Sequence, residues 1–291
     1  MKELKGTGVA LVTPMKENGT TDFDGLSRLV KHVSKLDYLV VMGTTGESAT
    51  HSDDEKEAIL HHVIKQNKNR LPVVFGIGGN NTAVVTEKLV KFKTKGVCAL
   101  LSVSPYYNKP SQEGIYQHFK AVAEASPLPL ILYNVPGRTG SNMTAETSVR
   151  LSGLKKIVAI KEASGNLEQA MQVIRRARPE FMVLSGEDML TVPMMSVGAA
   201  GVISVLANAY PNHFKKMTDA ALAGDFRRAA KIQTLFGGIN PLMYEEGNPS
   251  GVKEVLKQMG VCGNDCRLPV VPVSKSLSGR IHSQMEEIKK G

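Results

Sequence analysis

"VAIKEASG", Val158 to Gly165, is the stretch on which the fold turns. Val158, Ala159 and Ile160 read as a short strand running into a core, and Lys161 then ends the apolar run with a strongly hydrated side chain. Glu162 follows at once, and Ser164-Gly165 closes the segment as a turn. Two readings are open at this point. Either Lys161 is a solvated strand end, free to pair with Glu162, or the chain keeps an amine in a dry pocket for chemistry.

Working outward, the same kind of apolar run recurs along the chain. It appears as "GVALVTP" (8–14), "YLVVMGTT" (38–45), "LPVVFGIGG" (71–79) and "VCALLSVSPYY" (97–107). It continues as "LPLILYNVP" (128–136), "KIVAIKEAS" (156–164), "FMVLSGE" (181–187) and "AGVISVLAN" (200–208). Between the runs lie helix-like segments such as "DFDGLSRLVKHVSKL" and "SDDEKEAILHHVIKQNK". In the second, Ser52 supplies an N-cap, Asp53, Asp54 and Glu55 supply first-turn acids, and Ala58, Ile59, His62 and Val63 recur at helical spacing. Roughly eight strand–helix units with near-continuous apolar strands predict an α/β fold, a parallel sheet closed into a (β/α)8 TIM barrel. An open doubly wound sheet is the alternative, but it wants a fingerprint such as G-x-G-x-x-G, which "GIGGNN" (76–81) does not fit. The barrel is assigned to residues 1–210. Residues 211–291 are read as a C-terminal helical region packed on it, with "NPSGVKEVLKQMG" (248–260) as one helix. Gly251 in that helix is read as affecting local stiffness.

Composition excludes several classes. Of 291 residues, 42% are hydrophobic and 22% charged, enough apolar material for a sizeable core. The balance of 36 Lys+Arg against 27 Asp+Glu gives +9, yet basic residues are interleaved with acidic ones, as in "QMEEIKKG". No basic run with interleaved aromatics appears, so nucleic acid is not the expected partner. The start, "MKELKGTGVALVTPMKENG", has too short an apolar stretch for a secretory signal and is strand-like. No segment reaches the roughly 18 apolar residues of a membrane span. A reduced, cytoplasmic protein is expected. Cys98 is read as a small core residue, while Cys262 and Cys266 in "CGNDC" leave a disulfide or metal clip open as the less favoured reading. No metal is expected, because His61 and His62 diverge on a helix and no H-E-x-x-H occurs. Ser185 in "LSGED" lacks the nucleophile-elbow pattern.

In such barrels chemistry sits at the C-terminal ends of the strands. Those ends read Gly43-Thr44-Thr45-Gly46-Glu47, Pro105-Tyr106-Tyr107, Tyr133 to Arg138, Lys161-Glu162, Gly186-Glu187-Asp188 and Ile203-Ser204. An amine in a poorly hydrated barrel mouth has its charged form disfavoured and becomes available as a nucleophile towards a ketone or aldehyde. Phenols at Tyr106, Tyr107 and Tyr133 suit proton transfer, or simple packing. Thr44 and Thr45 offer hydroxyls and backbone N–H groups to a small carboxylate, or form a mere turn. The fork of Arg138 suits a carboxylate, or is a solvated loop charge.

Together "GTTGES", "SPYYNKPSQEGIYQHF", "YNVPGRTG", "IKEASG" and "SGED" resemble the dihydrodipicolinate synthase branch of the pyruvate-dependent class I aldolases, in the family's order and over nearly the whole chain. The resemblance implies a Schiff-base lyase that condenses pyruvate with L-aspartate 4-semialdehyde to 4-hydroxy-tetrahydrodipicolinate, in lysine and diaminopimelate biosynthesis. It implies Lys161 as the Schiff-base residue and Tyr133 as acid and base, with Thr44 and Tyr107 in a proton relay. Thr45 joins Thr44 on the pyruvate carboxylate, Arg138 grips the second substrate, and Gly186 and Ile203 line the pocket. No cofactor is implied, since the lysine is the electron sink. The residue matching Tyr107 crosses into a neighbouring site in the family, which implies a homo-oligomer, at least a tight dimer and commonly a tetramer.

N-acetylneuraminate lyase and the 2-keto-3-deoxy sugar acid aldolases are similar in fold, lysine and tyrosine; Arg138 in "PGRTG" favours the synthase branch. A non-catalytic barrel acting as a binding or regulatory protein is the reading of a different class, but all of these residues are present. A phosphate-using barrel would want a glycine-rich loop that "SVLANAYPN" lacks. Lysine-inhibited members use residues matching Ser48, Ala49, Asn80 and Tyr106, together with two histidines and a glutamate. Asp53, Lys56 and Val84 stand in those last places, which implies weak or absent inhibition by lysine.

Overall fold

The computed structural model describes residues 4–290. Residues 1–3 and 291, included above in the barrel and in the C-terminal region, lie outside the described residues. Eight parallel strands close on themselves in chain order, β8 pairing with β1. They are β1 (Gly6–Ala10), β2 (Tyr38–Val41), β3 (Val73–Gly76), β4 (Ala99–Val103), β5 (Leu130–Asn134), β6 (Ile157–Glu162), β7 (Met182–Ser185) and β8 (Gly201–Ser204). The expected (β/α)8 barrel is therefore present. Each strand is shorter than its apolar run, because residues such as Met42 to Thr45 and Ser104 to Tyr107 leave the ladder and build the rim.

The helices are α1 (Phe23–His32), α2 (Asp53–Asn67), α3 (Thr82–Lys91), α4 (Gln112–Ala125), α5 (Pro136–Thr139), α6 (Ala145–Ser152) and α7 (Leu167–Arg176). After them come α8 (Thr191–Ser196), α9 (Pro211–Leu222), α10 (Phe226–Thr234), α11 (Ile239–Leu242), α12 (Ser250–Gln258) and α13 (Lys275–Lys290). Local chemistry explains their starts. Ser52 and Glu55 form the reciprocal capping box of α2, a feature worth about 1 kcal/mol. Asp22 caps α1 by accepting from the Gly25 amide. Among the described residues no helix is long and apolar enough to cross a membrane.

Two apolar layers result. One lies between sheet and helices; the other fills the barrel with Tyr38, Val40, Val74, Ala99, Leu101, Ile131, Ala159, Leu184 and Ile203. α9 packs on β1, and α10 lies against α8 and α9. α12 is buried along its length from Ser250 to Leu256. At Gly251 a Cβ would stand 2.5 Å from Met243 Cα and 2.8 Å from the Leu242 carbonyl oxygen, a constraint of space beside the expected one of stiffness. The residue is small because backbone passes against backbone.

Candidate active site

Lys161 owes its direction to an irregularity. Along β6, Leu130 of β5 faces Ile157 and the next residue, Ile131, faces Ala159, so Val158 is an extra residue in the ladder. Beyond this bulge the alternation is re-phased. Ile160 and Glu162 face outward, whereas Ala159, Lys161 and Ala163 share the inner face. Lys161 is only 5% exposed. It is paired in register with Tyr133, and its Nζ lies 4.3 Å from the centroid of the Tyr133 ring. Gly186, at the end of β7, leaves the space the lysine uses. A Cβ there would meet Lys161 Cε at 3.1 Å and Ala163 Cβ at 2.6 Å.

The alternative partner, Glu162, is accounted for elsewhere. Both its oxygens accept from Asn134 Nδ2 at 3.1 Å. Oε1 accepts from the Ser164 amide at 2.7 Å and Oε2 from Gln169 Nε2 at 3.0 Å. This network lies on the outer face, beneath α7, and holds the turn after β6. No ion pair involves Lys161 among the described residues. The amine is thus buried, inward-facing and not neutralised by a contacting carboxylate.

Other strand ends converge on the same rim. Thr44 to Gly46 form a 3-10 turn closed by Glu47 in the left-handed region. Thr45 is buried, and its Oγ1 accepts from Asn248 Nδ2 at 3.1 Å. Ile203 is fully buried among the inner residues. Arg138 sits on the exposed face of α5, and its charge acts on Glu187 and Tyr244 across the mouth. Burial, then neighbouring Asp188, pushes the Glu187 carboxyl up, while Lys161 and Arg138 pull it back. Burial raises Asp188 as well. Its Oδ2 accepts from the Val205 and Leu206 amides at 3.2 and 2.8 Å, and these bonds, with the Ser204 hydroxyl, offset part of the rise. Burial also drives the Tyr244 phenol well up. Tyr244 and Asn248 were not found in the sequence; both come from beyond the eighth strand and carry no local signal.

Tyr107 follows a strand end of the same rim but turns its side chain to solvent. It is 88% exposed with φ of 72°, at the tip of the loop after β4. Tyr106 is partly exposed beside it, and its carbonyl accepts from Asn80 Nδ2 at 3.1 Å. Ser48 and Ala49 lie in a second 3-10 turn after Glu47. Asp53 is bound by Lys88 at 2.8 Å and by Lys56 at 3.6 Å, while Val84 is exposed on α3. Cys98 is half-buried on the inner core. Cys262 and Cys266 form no disulfide, and burial pushes both thiols up to about 11, which disfavours the thiolate. Among the described residues no three His, Cys, Asp or Glu side chains gather to hold a metal ion.

Comparison with known proteins bears on this arrangement. The chain is 51% identical over 283 residues to a 4-hydroxy-tetrahydrodipicolinate synthase of Cytophaga hutchinsonii, covering 97% of this chain and 95% of the relative. It is 48% identical to the enzyme of that name from Flavobacterium psychrophilum, covering 100% of each. Among solved structures, a dihydrodipicolinate synthase of Bacillus anthracis superimposes with TM-score 0.92 at 40% identity, over 97% of both chains. The model of the dihydrodipicolinate synthetase family matches residues 3–288. With that match spanning the barrel and the helices after it, the chain belongs to the dihydrodipicolinate synthetase family.

Proposed function

We propose that the chain acts as a 4-hydroxy-tetrahydrodipicolinate synthase, with Lys161 forming a Schiff base with pyruvate and the resulting enamine attacking L-aspartate 4-semialdehyde. The observation that carries this reading is the amine: buried, at the C-terminal end of β6, without an ion pair among the described residues and against the Tyr133 ring. The activity named for the relatives supports it.

The chemistry balances without a cofactor. The Lys161 lone pair adds to the pyruvate ketone, and the carbonyl oxygen departs as water. The iminium then withdraws electrons so that a methyl proton is lost and an enamine forms. The enamine carbon attacks the aldehyde, whose oxygen takes up a proton as the new hydroxyl. The amine of the second substrate displaces Lys161 from the iminium carbon and closes the ring. Tyr133, whose ring faces the amine, supplies and removes these protons. Thr44 and Thr45 hold the pyruvate carboxylate, Arg138 holds that of the semialdehyde, and Gly186 and Ile203 shape the wall beside the lysine.

Thr44 and Tyr107 complete the proton relay. An exposed tyrosine in the left-handed region suits a residue that enters the site of a second copy. A homo-oligomer, a dimer of such dimers, is part of the reading, as is a cytoplasmic place in lysine and diaminopimelate biosynthesis. Inhibition by lysine is weak or absent: Val84 offers no carboxylate to an ammonium group, and Asp53 is taken up by Lys88 and Lys56. Strong inhibition by lysine at modest concentration in a coupled assay would refute that point. The activity itself is tested by supplying pyruvate with either aldehyde. Turnover with aspartate semialdehyde and none with N-acetylmannosamine is expected, and the reverse pattern moves the chain to the sialic acid lyases.

A further inference from the structure

The turn carrying Thr44 and Thr45 is held from behind by a segment about two hundred positions later in the chain. Lys253 on α12 is fully buried, and its ammonium has three protons to place. Nζ lies 3.3 and 3.2 Å from the two oxygens of Glu47 and donates to the Asp265 carbonyl at 2.7 Å. Every proton has a partner. Glu47 is the residue that closes the Thr44–Gly46 turn: its φ and ψ are 57° and 35°, and its amide donates to the Thr44 carbonyl at 3.0 Å. A glutamate reaches that region only when its surroundings impose it. Its own carbonyl accepts from the Thr50 amide at 3.0 Å and lies 2.9 Å from His51 Nδ1. Five residues before Lys253, Asn248 donates to Thr45 Oγ1 at 3.1 Å.

A buried ion pair is a poor stabiliser, because desolvation offsets most of the attraction and apolar side chains of the same volume often serve as well. What it does provide is a fixed geometry. We infer that Glu47, Lys253 and Asn248 are positioning residues of the active site: α12 clamps the Thr44–Thr45 turn in the conformation that receives the pyruvate carboxylate. The helices after the barrel thereby set the affinity for the first substrate without touching it. This rests on the assignment of Thr44 and Thr45 to that carboxylate.

The test measures how the borohydride-trapped pyruvate adduct on Lys161 grows with pyruvate concentration, in Glu47→Gln, Lys253→Met, the double variant and Asn248→Ala, beside thermal unfolding. In folded variants the half-saturating pyruvate concentration and the pyruvate KM should rise about tenfold or more, as misplacement of a binding group by a fraction of an ångström does, with the KM for aspartate semialdehyde little changed. The double variant should regain thermal stability relative to the singles but not the affinity for pyruvate. Folded variants with wild-type half-saturation overturn the inference, as does a double variant that regains both. If the single variants do not fold, the double variant and Asn248→Ala decide by the same readout. Loss of folding in all of them assigns the contacts to stability alone and also overturns it. Absence of any adduct on Lys161 in the unaltered protein is a different failure, that of the catalytic assignment.

Discussion

Replacing Gly186 by alanine puts a methyl group between the ends of β6 and β7. The new Cβ would stand 2.6 Å from Ala163 Cβ, 3.1 Å from Lys161 Cε and 3.2 Å from the Glu162 carbonyl oxygen. Ordinary contact begins near 3.4 Å, so Ala163 must withdraw by about 0.8 Å and the lysine stem by about 0.3 Å. Ala163 has no flexible side chain to swing aside; its methyl moves only with the backbone that follows Lys161. Overpacking of this kind costs about 1–3 kcal/mol of stability. Because Ala163 moves only with that backbone, its withdrawal adds to the lysine's own shift, and a misplaced reacting group loses up to about a hundredfold in rate. The assay is kcat/KM for pyruvate with aspartate semialdehyde, read beside urea unfolding. Gly186→Ala should lower kcat/KM by about ten- to a hundredfold while the protein remains folded. Unchanged rate and stability would refute the claim that Gly186 makes room for the nucleophile.

Other outcomes follow from buried polar groups. Asn134→Leu removes the donor to both Glu162 oxygens and the acceptor of the Met143 amide; it should cost about 1–3 kcal/mol in chemical unfolding, and a neutral result would show the network to be idle. Arg178 donates to the carbonyls of Leu154 and Lys155 just ahead of β6 and of Ile157, its first residue. Arg178→Met should destabilise by a similar amount, about 1–3 kcal/mol, checked by the urea midpoint. Acid should act in two stages. Burial holds the His118 imidazole at about 4 against 6.5, so the unfolded chain takes a proton first, and this stability, complete above pH 6.5, declines as pH falls towards 4. The Arg267 hydrogen bond holds Glu55 at about 2 against 4.5, so its contribution is present above 4.5 and lost towards 2. Melting temperature against pH should lose the upper stage in His118→Gln and the lower in Glu55→Gln; parallel curves for variants and wild type would contradict the assignment.

Much of the architecture was legible because each strand is a compact apolar run and several helices begin with recognisable capping chemistry, as at Ser52. The lysine was harder to read. Both faces of β6 are buried, so its apolar residues show no alternation from which to tell inside from outside. The bulge at Val158, which decides that Lys161 faces inward and Glu162 outward, leaves no mark in composition. Thr44, Thr45, Arg138, Gly186 and Ile203 could be listed once strand ends were known. Tyr244, Asn248 and Lys253 could not, since their proximity to the rim is a product of how α11 and α12 pack. Tyr107, placed in the relay by resemblance, is an exposed residue of the loop after β4, and nothing in its local sequence distinguishes a relay role from a surface one.

The central claim is that Lys161 is the nucleophile. Borohydride should reduce the pyruvate imine irreversibly to a secondary amine, and peptide mass mapping should find the added 1-carboxyethyl group on the peptide containing Lys161, with activity lost in proportion. Labelling of another lysine, or inactivation without a label at Lys161, would contradict the account.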